Sequence, residues 1–189
     1  MKWNSHWELK GKHAFMSPSN YHWVNYSIDK MKSVFLNKQN IERGTLLHEF
    51  AANAISYRIK LSNRKTALNL FVNDCIGFGM DPEVILYFSE NCFGTADAVK
   101  FNEKTKELFI FDLKTGENEA KFTQLDVYAA LFCLEYGYSP KDIQIVERIY
   151  QYNSFKEQIA DSNYISELMD SIVAFDALIN NLKREDILE

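Results

Sequence analysis

The run Phe109-Ile110-Phe111-Asp112-Leu113-Lys114 constrains the fold of this chain more than any other segment. Its apolar density reads as a buried strand over 107–114, where an unpaired carboxylate is expensive. A strand that buries Leu108, Ile110 and Leu113 on one side turns Phe109, Phe111 and an acid to the other. Asp112 and Lys114 are two residues apart, so they project from one face. Upstream, Gly94-Thr95-Ala96-Asp97 lies in a second alternating run. Two adjacent strands therefore each deliver an acid at or near an end. Such a set is either a solvated Asp–Lys pair on a surface strand, or a divalent-metal site with a lysine beside the reacting group.

The rest of the chain supplies the layers around those strands. Ser17-Pro18 is a helix start, with Ser17 as N-cap and Pro18 at the first helical position. The stretch to about residue 38 reads as one helix or two, because Tyr26-Ser27-Ile28-Asp29 is a natural interruption. Over 41–61, Leu46, Leu47, Phe50, Ala54 and Tyr57 recur at helical spacing and define an apolar face. A third helix is expected over 66–78, and Asp81-Pro82 marks a turn. Strands follow over 83–89, 93–101 and 107–114, the last two joined by a polar turn at 102–106. A helix over 121–136 stops at Gly137, a strand covers 143–152, and an amphipathic helix closes the chain over 164–183.

This order predicts one α/β domain over 1–189, with an N-terminal helical part at about 17–80, a core at about 83–152 and a closing helix at about 160–185. The length of 189 residues suffices for a sizeable core. A net charge of −5 means that any nucleic-acid binding must come from local basic patches. Cys75, Cys92 and Cys133 are widely spaced in apolar contexts, which reads as free thiols in a reducing compartment. The first residues lack the apolar core of a signal peptide, and no apolar run reaches membrane-spanning length. A cytoplasmic protein without membrane contact is expected.

Three further groups carry polar chemistry. In Gly44-Thr45-Leu46-Leu47-His48-Glu49-Phe50, His48 lies among apolar residues, as a hydrogen-bonded core histidine or a metal ligand, with Glu49 as a solvated neighbour. Gln124 and Tyr128 are four apart on the helix after the Asp-x-Lys strand, so they share a face one turn apart. Arg58, Lys60, Arg64 and Lys65, with Lys10, Lys12 and His13, are either a solvated face or phosphate contacts.

Taken in order, Gly44/His48/Glu49, Gly94/Asp97, Asp112/Lys114/Thr115/Gly116 and Gln124/Tyr128 resemble the PD-(D/E)XK nuclease superfamily. The branch they resemble is the RecB-like exonucleases, which includes phage-type and CRISPR-associated-type enzymes. The resemblance spans roughly residues 17–152. It implies an α/β, restriction-endonuclease-like fold with a central mixed sheet of about four strands flanked by helices, core order αββαβ after N-terminal helices. It implies that His48, Asp97, Asp112 and the Leu113 carbonyl hold one or two Mg²⁺ or Mn²⁺ ions. Lys114 would position or activate the attacking water, Gln124 would orient Lys114 or the substrate strand, and Tyr128 would contact substrate or brace the site. Arg58, Lys60, Arg64 and Lys65 would contact DNA.

The implied activity is divalent-metal-dependent hydrolysis of DNA phosphodiester bonds by an exonuclease of recombination, repair or phage DNA processing. A homo-oligomer, or a helicase or recombination partner, is compatible with it. The chain departs from several relatives in lacking four suitably spaced cysteines, so no iron–sulfur cluster is expected. The alternative is a nucleic-acid-binding or regulatory protein on a nuclease fold, with little or no cleavage.

Overall fold

The computed structural model describes residues 5–186, and the chain divides into two compact units, Met1–Arg43 and Gly44–Glu189. The helical part expected over 17–80 is therefore shared between the units. In the first unit, Trp7–Leu9 is a 3₁₀ helix, Pro18–Asn25 is 3₁₀ in two pieces kinked at Asn20, and α1 (Ile28–Ser56) begins. Ser17 stands at the N-cap position but its side chain caps nothing; its hydroxyl pairs with that of Ser19 at 2.8 Å. Trp23 Nε1 instead donates to the Ser17 carbonyl at 3.1 Å. The interruption expected at 26–29 is present, and Ser27 Oγ accepts from Lys30 N at 3.2 Å where α1 begins. Phe15 meets Phe35 edge-on at 5.2 Å.

α1 runs unbroken to Ser56, past the gap expected between 38 and 41. Lys38 and Glu42, 3.7 Å apart at i,i+4, lie across that stretch. It also stops earlier than residue 61. Arg58 takes a left-handed backbone (φ 56), Ile59 N donates to Ala54 O at 2.8 Å and Arg58 N to Ile55 O at 3.0 Å. This is the paired bonding of a Schellman stop, with arginine in the place that glycine usually fills.

In the second unit, the later part of α1 is followed by α2 (Ala67–Phe78), β1 (Asp81–Ser89), β2 (Cys92–Asn102), β3 (Glu107–Lys114), α3 (Thr123–Tyr136), β4 (Gln144–Gln151), β5 (Ser154–Ile159) and α4 (Ser162–Asp186). The strands form one mixed sheet in the order β1-β2-β3-β4-β5. β3 and β4 are parallel and the other neighbours antiparallel. Parallel neighbours need a crossover, and α3 provides it.

The sheet has five strands where four were expected. β5 escaped notice because the β4–β5 turn bends at Tyr152 (φ 57) rather than at glycine, so the usual hairpin signal is missing. Thr66 caps α2 by accepting from Asn69 N at 3.2 Å, and Gly137 ends α3 in a left-handed conformation (φ 71), the stop that the sequence suggests. Among the described residues no helix is long and apolar enough to cross a membrane.

Two apolar layers cover the two faces of the sheet. One joins Leu86, Ala96, Leu108, Ile110 and Ile149 to Leu125, Ala129 and Ile165 of α3 and α4. The other joins Ala98, Phe111, Leu113 and Tyr150 to Ala51, Ile55, Phe71 and Val72 of α1 and α2. Two sequence expectations need correction here. Leu113 packs with Phe111 and Phe109 on the α1–α2 side, so Asp112 shares strand parity with Leu108 and Ile110, on the side where α3 packs. The buried stripe of α1 carries Gly44, Ala51, Ala54 and Ile55, whereas Leu46, Phe50 and Tyr57 are exposed. This stripe joins the cluster that α2 forms with the sheet, and the half-buried His48 lies on it.

Candidate functional site

The site forms where the β2–β3 ladder ends. Its last rung pairs Ala98 with Phe111, so the next would set Asp97 opposite Asp112. The strands part there. Leu113 N donates to Asp97 Oδ2 at 2.8 Å, so a carboxylate takes the place of a backbone carbonyl. On the other edge of β2, Pro82 pairs with Ala98 and Val84 with Ala96, which sets Glu83 opposite Asp97. Glu83 thus stands opposite Asp97, and Asp97 and Asp112 are the residues just past the last β2–β3 rung. Like charges on neighbouring strands repel, so this alignment costs stability unless cations offset it.

Two basic groups of the chain approach. His48 Nδ1, brought in by α1, lies 3.2 Å from Asp97 Oδ2. Hydrogen bonding to Asp97 raises the His48 pKa, against burial, which lowers it. Lys114 Nζ donates to Asp112 Oδ1 at 3.1 Å and to Gln124 Oε1 at 2.6 Å. Gln124 Nε2 in turn reaches Tyr128 Oη at 3.4 Å, and Tyr128 Oη donates to Thr95 O at 2.6 Å. A continuous polar chain therefore runs from Asp112 through α3 and back to β2, which fixes the ammonium beside the acids.

Both spaced glycines of the pattern have a steric reason. A Cβ on Gly94 would lie 3.0 Å from the Tyr128 ring, and one on Gly44 would lie 2.8 Å from Thr115 Oγ1. Gly94→Ala should therefore cost about 1–3 kcal/mol in chemical denaturation. Most of that cost should vanish in a Tyr128→Ala background, since the cycle then removes the clash. Additive losses would show that the ring and Gly94 are uncoupled. By contrast, a Cβ on Gly116 would meet nothing within 4 Å.

Asp112 is 4% exposed, and burial first, then Asp97, push its pKa up to about 6. Asp112 Oδ2 lies 3.0 Å from Lys114 Nζ but off hydrogen-bonding angle, and is a buried oxygen without a hydrogen-bond partner. Glu83, which sequence reading missed, is also raised, by burial and then by Asp97. Its backbone adopts φ 52, a left-handed conformation unfavourable for a side chain of this size. Glu83→Gly should relieve that strain and stabilise the fold by about 1 kcal/mol, read from the denaturation midpoint. A loss of stability would mean that the glutamate supports the fold.

The donors are hard carboxylate oxygens and one imidazole, a set suited to Mg²⁺ or Mn²⁺, and Asp112 Oδ2, beside the Lys114 ammonium, is the buried oxygen left without a hydrogen bond. Among the described residues no three His, Cys, Asp or Glu side chains already stand as an ion-holding group, so binding an ion would require side-chain adjustment. Leu113 contributes its N–H to the arrangement described above. Glu49 is exposed.

The structure brings His48, Asp97, Asp112, Leu113, Lys114, Gln124 and Tyr128 together. It does not bring in the basic residues. Arg58, Lys60, Arg64 and Lys65 are exposed on the α1–α2 connection. That connection is tied to the sheet by Ala67 N donating to Tyr152 O at 2.9 Å, just past the Gln151–Lys114 pair, so it lies at the same sheet end as Lys114. Lys10, Lys12 and His13 are exposed in the first unit. The three cysteines are free thiols, Cys75 and Cys133 buried and Cys92 half-buried.

Glu83 left a weak signal in the sequence, because an acid at the start of the strand expected over 83–89 becomes relevant only through the register of β1 on β2. Comparison with known proteins returned no matching family model, no similar curated protein and no similar solved structure.

Proposed function

We propose that this chain is a divalent-metal-dependent nuclease that hydrolyses DNA phosphodiester bonds from chain ends. The observation that carries this reading is Lys114 Nζ held between Asp112 and Gln124 beside Asp97 and His48. Phosphodiester hydrolysis needs an activated water and neutralisation of charge on the phosphoryl oxygens. In this reading Asp97, Asp112, His48 and the Leu113 carbonyl would hold the metal, with Glu83 beside them. A bound divalent ion supplies charge neutralisation and lowers the pKa of water.

The protein's own groups do the rest. Lys114 directs an N–H at the attacking water or the phosphoryl oxygen. Gln124 and Tyr128 hold that ammonium in one place, so little reorganisation is needed at the moment of reaction. The basic connection at the same sheet end supports a path for the polyanion, in a protein whose net charge otherwise repels it.

Purified protein incubated with end-labelled linear, nicked and single-stranded DNA and Mg²⁺ or Mn²⁺ tests the reading. Nucleotides should be released from ends, and Lys114→Met should slow release at least about 100-fold. Equal survival of the DNA with wild type and variant overturns it. A second reading, a DNA-binding protein without cleavage, draws on the absence of a ready-made ion-holding group among the described residues. Calorimetry separates the two. The nuclease reading expects Mn²⁺ binding that Asp97→Ala abolishes and Glu83→Gly weakens.

A further inference from the structure

On the α3–α4 side of the sheet lies an open cavity of about 620 Å³. Phe122, Asp126, Gln158, Asp161 and Tyr164 line it, with Lys121. Asp126 is 6% exposed, yet among the described residues its carboxylate accepts no hydrogen bond and pairs with no cation. Next to it, Glu147 has no exposed surface and leaves Oε1 without a partner. Glu147 Oε2 accepts from Gln158 Nε2 at 2.7 Å, so the carbonyl oxygen of Gln158 is the atom left to accept. Asp161 is partly committed, since its Oδ1 accepts from Asn163 N at 2.9 Å at the start of α4.

A carboxylate buried in the cavity wall without a partner is costly, and a cation arriving in the cavity would offset Asp126. Its chemistry can be narrowed. No three acids are grouped to hold a metal ion among the described residues. A planar cation with several N–H donors suits the walls better. It can bond Asp126 in a bidentate fashion, reach the Gln158 carbonyl and stack on an aromatic ring. Phe122 and Tyr164 offer such rings.

We infer that this cavity binds a guanidinium group, with Asp126 as its counter-ion and Tyr164 as its aromatic wall. The inference is independent of the nuclease reading, because none of these residues belongs to the Asp97–Asp112 site.

Ethylguanidinium titrated into the full chain by calorimetry tests it, with agmatine and an arginine-containing peptide as further arms. The two arms separate a small-molecule source of the guanidinium from a protein one. Saturable binding with Kd of about 1 mM or tighter is expected. Asp126→Asn should weaken it about tenfold or more, whereas Asp170→Asn, the same charge change on exposed α4 surface, should leave it intact. Tyr164→Leu, which keeps both acids, should also weaken it and serves if Asp126→Asn does not fold. Lys121→Met should tighten it by removing a competing cation. Absence of saturation, equal losses in the Asp126 and Asp170 variants, or tighter Asp126-dependent binding of Mg²⁺ alone would each overturn the assignment.

Discussion

Asp112→Asn should give a more stable protein and, on the proposed nuclease reading, one that no longer cleaves DNA. Burial and Asp97 place the Asp112 pKa at about 6 in the fold, above its ordinary 3.8. The folded state therefore holds this proton more tightly than the unfolded state. Its contribution is fully present below pH 3.8 and is lost as pH rises through about 6. At pH 8 the ionised carboxylate weighs against folding, and asparagine removes that cost while its carbonyl can still accept from Lys114. Denaturation at pH 8 without divalent ions should show a gain of about 1–3 kcal/mol.

Cleavage should move the opposite way, by at least about 100-fold, because the buried oxygen that lacks a partner would no longer carry charge. Mg²⁺ should raise the melting temperature of wild type and leave the variant unchanged. A variant with wild-type stability and activity would remove Asp112 from the site. A destabilised one would assign the carboxylate a structural role through Lys114.

The largest effect on stability is expected from Glu147→Met. Glu147 sits on β4 between Ile145 and Ile149, on the face packed by α3 and α4. Burial pushes its pKa from 4.5 up to about 8, Gln158 lowers it in part, and Asp126 adds to the rise. Again the folded state binds the extra proton, so wild-type stability should fall between about pH 5 and pH 9. Methionine fills a similar volume, matches the apolar neighbours and carries no charge to bury. The variant should gain about 2–4 kcal/mol at pH 9, less at pH 7 and little at pH 5. Urea denaturation of both proteins at the three pH values checks this. A variant that is less stable at pH 9 would mean that the Glu147 carboxylate is neutralised within the fold.

Much of the site was legible because its members fall into four short spacings. Asp112 and Lys114 share a face by strand periodicity, and Gln124 and Tyr128 by helix periodicity. The structure places Lys114 Nζ and Tyr128 Oη on successive sides of the Gln124 amide. Local spacing was misleading where two faces compete. Leu46, Leu47, Phe50, Ala54 and Tyr57 form a convincing apolar stripe, yet of these only Ala54 is buried, and the packed stripe of α1 carries Gly44, Ala51, Ala54 and Ile55. Leu113 went to the wrong face because strand alternation alone separates it from Leu108 and Ile110, and its apolar character argued for joining them.

By itself the sequence determined β1 to β4 in outline, most limits of α2, α3 and α4 and the local pairs, since periodicity and stop residues act over a few residues, whereas β5 came only with the structure. The tertiary structure decided which acids meet. Glu83, Asp97 and Asp112 are about fourteen residues apart in succession and come together only through the register of β1, β2 and β3. His48 joins them because α1 packs its buried stripe on the sheet, and Glu147 meets Asp126 because α3 crosses over to make β4 parallel to β3. Register and crossover are set by the packing of whole layers, so no window of sequence contains them.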